Sequence, residues 1–195
     1  PELISDSGAV PGIKVDTGAK VLANSPEEKI TEGLDGLRER LKLYYKLGAR
    51  FTKWRGVYSI TKKFPSKLSI HSNAHALARY SAIVQECKMV PIVEPEVLMD
   101  GNHAAEECLN KTSEVIKKCF EELELHEVDL SGIILKPNMI LAGSSADKKI
   151  SNEEIAKLTL KCLKETVPKE VPGVAFLSGG QTEKEATKNL NLINK

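Results

Sequence analysis

Five residues able to do chemistry close five short apolar runs: Lys14, Lys53, Glu94, Lys136 and Ser178. Where such a run is a strand, side chains two positions on share its face, which adds Asp16, Arg55, Glu96 and Asn138. Gathered at one mouth, these positions would present three lysines, an arginine and two glutamates. Ammonium groups crowded on one rim repel each other, and apolar walls disfavour charge, so the expectation is a neutral amine. A neutral amine attacks ketones. Two carboxylates beside it can carry the protons that imine formation and bond cleavage move. The remaining cations suit phosphate groups. Ser178-Gly179-Gly180 adds exposed backbone amides ahead of a helix start, a further place for an anion. The pattern points to Schiff-base chemistry on a phosphorylated carbonyl compound and leaves the substrate open.

The runs themselves are Gly12-Ile13-Lys14, Ala49-Arg50-Phe51-Thr52-Lys53, Val90-Pro91-Ile92-Val93-Glu94, Ile133-Ile134-Leu135-Lys136 and Val174-Ala175-Phe176-Leu177-Ser178. Each has the length and bounds of a buried strand. Amphipathic helices are expected between them. Leu34, Leu37, Leu41 and Tyr44 share one stripe, with Gly48 at the C-terminal cap position. A second stripe holds Ala76, Leu77, Tyr80, Ile83, Val84 and Cys87, and a third holds Cys108, Thr112, Val115, Ile116, Cys119 and Leu123. Ser151 and Thr182 open the last two with capping-box spacing. The fourth carries Ile155, Leu158 and Cys162, and the fifth Ala186, Leu190 and Ile193.

Strand and helix in steady alternation mean a parallel sheet. A doubly wound sheet and a (β/α)₈ barrel compete, and the absence of GxGxxG favours the barrel. At roughly 40 residues per unit, eight units would exceed the usual size of the fold. The expected fold class is therefore α/β, a TIM (β/α)₈ barrel incomplete in this chain, with about five of eight units in one domain over residues 1–195. The first residue is Pro1, not Met, which fits a longer protein. Alternation along its run turns Trp54 outward, against the helices.

Charge is balanced, with 28 basic and 27 acidic residues, and no run of five like charges suggests a nucleic-acid arm. No apolar stretch reaches membrane-spanning length and no signal peptide stands at the start. Cys87, Cys108, Cys119 and Cys162 lie in helical stretches without a CxxC pair, as expected of packing residues in a reducing, cytoplasmic setting. His71 and His75 are four residues apart, but no third ligand in a known pattern accompanies them, so no metal is expected. His103 and His126 read as surface residues, and Asp100-Gly101-Asn102 as a turn.

The five motifs Gly12-Ile13-Lys14-Val15-Asp16, Phe51-Thr52-Lys53-Trp54-Arg55, Ile92-Val93-Glu94-Pro95-Glu96, Leu135-Lys136-Pro137-Asn138-Met139 and Phe176-Leu177-Ser178-Gly179-Gly180-Gln181 resemble class I fructose-1,6-bisphosphate aldolases in order and spacing. Gly33-Leu34-Asp35-Gly36-Leu37 and Leu77-Ala78-Arg79-Tyr80 extend the resemblance across the chain. It implies strands three to seven of the barrel. It implies Lys136 as the Schiff-base lysine, Glu94 as the acid/base, and Lys53 as the second active-site lysine with Glu96 as its carboxylate partner. Lys14 and Arg55 resemble residues for the phosphate on carbon 6, and Ser178 and Gly179 those for the phosphate on carbon 1. The implied substrate is a sugar bisphosphate, cleaved in glycolysis without cofactor. The implied assembly is a homotetramer, with cytoskeletal partners by resemblance only.

The family's first-strand aspartate, its eighth strand and its C-terminal tyrosine have no counterpart among these residues. A molecule of these 195 residues alone is expected to lack useful aldolase activity. Two other readings compete: a different Schiff-base barrel, of transaldolase or deoxyribose-phosphate aldolase type, and a binding protein retaining the aldolase surface. The two-phosphate layout argues against the first, and the intact polar strand ends against the second.

Overall fold

The computed structural model describes residues 1–195. Four strands form one all-parallel sheet in the order β1 (Gly12–Lys14), β4 (Phe51–Tyr58), β5 (Val90–Val97), β6 (Ile134–Leu135). Sequential strands are spatial neighbours throughout, as in the wall of a barrel. After a short first helix, α1 (Glu2–Asp6), the helices are α2 (Leu37–Lys46), α3 (Lys67–Glu86), α4 (Ala105–Leu125), α5 (Asn152–Thr166) and α6 (Glu183–Ile193). From α2 onward each helix packs beside the next in chain order, which a doubly wound sheet would not give.

Burial on β4 alternates strictly, with Thr52, Trp54, Gly56 and Tyr58 buried and Phe51, Lys53, Arg55 and Val57 half-exposed. The buried set lies under α3. Trp54 stacks obliquely on Tyr80, ring centroids 5.4 Å apart, and Thr52 Oγ1 shares a 2.7 Å hydrogen bond with the Tyr80 hydroxyl. Trp54 thus faces outward as its position demands. The helical stripes meet in one core of 29 buried residues, with Leu37, Leu41, Leu77, Val84, Val115, Ile116, Cys119 and Leu123 at its centre.

Helix ends follow the residues expected. Ser66 and Ser151 accept hydrogen bonds from the Ser69 and Glu154 amides, and Thr182 with Glu185 completes a capping box. Gly48 takes φ 104° just past α2, a conformation open to glycine at little cost. No cysteine is paired, and burial pushes the Cys119 thiol up to about 12 and raises Cys108 and Cys162 too. These three thiols are packing groups.

Several expectations need correction. Val174–Ser178 is not a buried strand: it makes a single parallel bridge, Leu135 to Val174, and Val174, Ala175 and Ser178 are exposed. Within residues 1–195 this run has a strand, β6, on one side only. Gly12–Lys14 is the opposite edge and likewise open to solvent. An antiparallel hairpin, β2 (Gly18–Leu22) with β3 (Ser25–Glu32), not anticipated from the sequence, precedes α2. Its signal was present: Asn24 at the tip takes φ 63°, as hairpin turns ask of Asn or Gly.

His103 is buried, not a surface residue. The loop from Asp100 folds against the chain after β6, where Gly143, Ser144 and Ser145 donate amide hydrogen bonds of 2.7–2.8 Å to His103, Met99 and Gly101 carbonyls. Gly101 bends there at φ 119°, as the turn reading required.

Candidate active site

Three neighbouring strands bring Lys53, Glu94 and Lys136 into one hydrogen-bonded group. The Glu94 carboxylate is almost fully buried, at 3% exposure, and lies between the two amines. Lys53 Nζ donates to Oε2 and Lys136 Nζ to Oε1. Parallel pairing explains the meeting. Register places Lys53 opposite Ile92 and Arg55 opposite Glu94, so each cation reaches the carboxylate one side-chain step further along β5. On the other flank, the Lys136 amide bonds the Val93 carbonyl at 2.7 Å, which sets Lys136 beside Glu94. Pro137 follows at once and cannot donate to a ladder, which helps end β6 after two residues.

The same offset pairs Arg55 with Glu96, not Lys53 with Glu96 as the resemblance implied. Lys53 is already committed to the nearer Glu94. Burial alone would lower the Arg55 pKa, but the Glu96 hydrogen bond and the charges of Glu96, Glu94 and Asp16 raise it above its ordinary value. The anticipated crowd of ammonium groups is therefore interleaved with carboxylates.

Lys14 stands opposite Lys53 in the register but turns to Asp16, with Nζ 2.6 Å from Oδ1 and 3.0 Å from the Asp16 carbonyl. No ion pair joins it to the Lys53–Glu94–Lys136 group. Asp16 is the residue sequence reasoning undervalued. It is buried, its Oδ1 also accepts from the Gly18 amide at 3.0 Å, and its Oδ2 has no partner. Asn138 lines the cleft beside Ser178 but is also a structural tie: its Oδ1 accepts from the Val97 amide at 3.0 Å and its Nδ2 donates to Thr112 Oγ1 at 3.0 Å.

Ser178 and Gly179 line a neighbouring cleft that does not include Lys53, Glu94 or Lys136. They share this cleft, of about 430 Å³, with Arg55, Glu96, Met99 and Leu141. Gly179 and Gly180 take φ 54° and 80°, and a Cβ on Gly180 would collide with Met99 Sδ. Glycine there lets the loop close over the cleft. The α6 terminus is occupied by its own cap, since Glu185 accepts from the Thr182 amide and Thr182 from the Glu185 amide. The amides left for an anion are those of the loop ahead of the helix.

An amine, a buried carboxylate and a second amine in one chain of hydrogen bonds can form an imine and shuttle its protons. A family model described as "Fructose-bisphosphate aldolase class-I" matches residues 1–195. The chain belongs to that family.

Among its relatives, this aldolase-family chain is 52% identical over 194 residues to fructose-bisphosphate aldolase 4, cytosolic, of Arabidopsis thaliana, covering 100% of itself and 49% of that protein. It is 52% identical over 192 residues to a probable class 1 fructose-bisphosphate aldolase of Xanthomonas campestris, covering 98% and 58%. The chain thus spans about half the length of the curated relatives it matches. A solved fructose-bisphosphate aldolase of Plasmodium falciparum, in complex with TRAP and a small molecule inhibitor, superposes with TM-score 0.97 at 49% identity, over 99% of this chain and 56% of that one. The fold is accordingly that of the TIM-barrel family, present here as parallel strands that do not close.

Proposed function

We infer that the protein is a class I fructose-bisphosphate aldolase acting in glycolysis, cleaving fructose 1,6-bisphosphate reversibly to dihydroxyacetone phosphate and glyceraldehyde 3-phosphate. The reading rests on the buried Glu94 carboxylate held between the partly exposed amines of Lys53 and Lys136. Lys136 Nζ attacks the ketone carbon, and the hydroxyl of the carbinolamine leaves as water with a proton carried by Glu94. The resulting iminium accepts the electron pair when the bond between carbons 3 and 4 breaks, so an enamine forms where a bare carbanion otherwise would. This route calls for no cofactor.

Lys53, on the second Glu94 oxygen, polarises substrate oxygens and keeps that carboxylate aimed at Lys136. Glu96 orients Arg55. Arg55 and Lys14 would take one phosphate, and Ser178 with the Gly179 amide the other, so the two anchors fix the bond to be cleaved. A sugar bisphosphate substrate, a cytoplasmic location and a homotetrameric assembly belong to the same proposal. The cytosolic naming of the Arabidopsis relative supports the location. No helix is long and apolar enough to cross a membrane. The TRAP complex of the Plasmodium relative supports looking for protein partners.

Borohydride trapping with dihydroxyacetone phosphate on the whole protein, followed by peptide mapping, tests the site. Label is expected on Lys136, and Lys136→Ala should abolish it and lower cleavage by at least about a thousandfold, as loss of a covalent nucleophile does. Label on another lysine would overturn the assignment.

A further inference from the structure

Three of the four histidines, His71, His75 and His126, gather where α3 and α4 pack. His71 and His75 lie one turn apart on α3, and Lys118, Glu122 and His126 follow one another by single turns along the end of α4. Where the two helices pack, His75 Nδ1 comes within 3.3 Å of Glu122 Oε2, and the His75 and His126 rings meet edge to face at 4.9 Å. The ligand atoms of His75, Glu122 and His126 all lie within 4.8 Å of one another.

We propose that His75, Glu122 and His126 bind a divalent transition-metal ion of the zinc class between α3 and α4. Imidazole nitrogen with carboxylate oxygen is a donor set suited to such ions. Zinc holds these ligands at about 2.0–2.2 Å, which places tetrahedral ligand atoms about 3.4 Å apart. The His75–Glu122 spacing already meets that value, and His126 closes it by a small side-chain shift.

The surroundings favour ligation. His126 Nδ1 lies 2.8 Å from the Glu122 carbonyl, which can only accept, so Nδ1 carries the proton and Nε2 holds the free lone pair. A backbone bond of this kind fixes the tautomer in metal sites. Lys118 at 3.1 Å and His71 at 3.2 Å both address Glu122 Oε1. That leaves Oε2 to the ion, with Lys118 directed to the other oxygen. The carboxylate is 3% exposed, whereas His75 is 44% exposed, so an ion can enter from solvent onto a fixed acceptor. The fourth position would be open to water.

The test strips the whole protein with chelator and titrates Zn²⁺ against a chromophoric competitor, with Co²⁺ absorption as a second readout. One Zn²⁺ per chain is expected, with a tetrahedral cobalt spectrum. His75→Ala and His126→Ala should each weaken binding at least about tenfold, the lower range for damage to a metal centre. His75→Gln stands in if the alanine variant does not fold. Absence of stoichiometric Zn²⁺ binding overturns the proposal. So does affinity unchanged by either substitution, which would leave a carboxylate served only by His and Lys donors.

Discussion

Glu94 is the side chain on which the candidate site turns, because one buried carboxylate satisfies two amines on different strands. Glu94→Gln is nearly isosteric but offers one acceptor and one amide donor in place of two acceptors. One lysine would then face an N–H, and the proton route through the carboxyl would be closed. The expected result is a fall in kcat of about 10²- to 10⁴-fold, the range of a lost general acid or base. Peptide mapping after trapping should still find label on Lys136. Turnover within about threefold of the parent would remove Glu94 from the proton transfers, on the same reasoning about general acid–base catalysis. Arg55 and Glu96, one step up the strands, have their own pairing, so a loss at Glu94 is not made good by a neighbour.

Helix α3 is positioned at its start by a residue from the hairpin. Glu28 accepts from the Ser66 amide at 2.8 Å and from the Ser66 and Ser25 hydroxyls, tying β3 to the α3 cap. Burial alone would raise its pKa, but these hydrogen bonds outweigh burial and hold the carboxyl below its ordinary value of 4.5. A carboxyl so depressed contributes stability above its unfolded pKa and loses it as pH falls through the folded value. Glu28→Gln is therefore expected to cost about 1–3 kcal/mol near neutrality, the worth of hydrogen bonds to a charged group. Below pH 4.5 the gap between parent and variant should shrink. Urea unfolding at pH 7 and at successively lower pH measures both; a gap that widens on acidification would contradict the account.

Residues 1–195 form a stretch of parallel sheet with two unequal edges. Strands β4 and β5 pair on both sides and lie under α3, whereas Val174–Ser178 pairs on one side and β1 is three residues long. Opening energy should follow this layout, since amides in paired, covered strands exchange only through large openings. In a chain limited to residues 1–195, hydrogen exchange is expected to fill Phe176–Gly180 well before Trp54–Tyr58 or Ile92–Val97. Equal protection across these segments would mean the edge is held by contacts the sheet does not provide.

Much was legible before folding was considered. The stripes of α2 to α5, the caps at Ser151 and Thr182 and the outward Trp54 follow from periodicities of 3.6 and 2, which local sequence records directly. That Lys53, Glu94 and Lys136 belong to neighbouring apolar runs was legible for the same reason, but Lys53 and Glu94 do not close their strands, since β4 and β5 run on to Tyr58 and Val97. Which of these side chains touch was not legible, because pairing depends on a register between strands some 40 residues apart. That register gave Glu94 to Lys53 and left Glu96 to Arg55. Burial of His103 and the meeting of His75, Glu122 and His126 likewise belong to packing between distant segments. Sequence spacing states what each element can present; only long-range contact, by excluding water and choosing neighbours, settles what it presents it to.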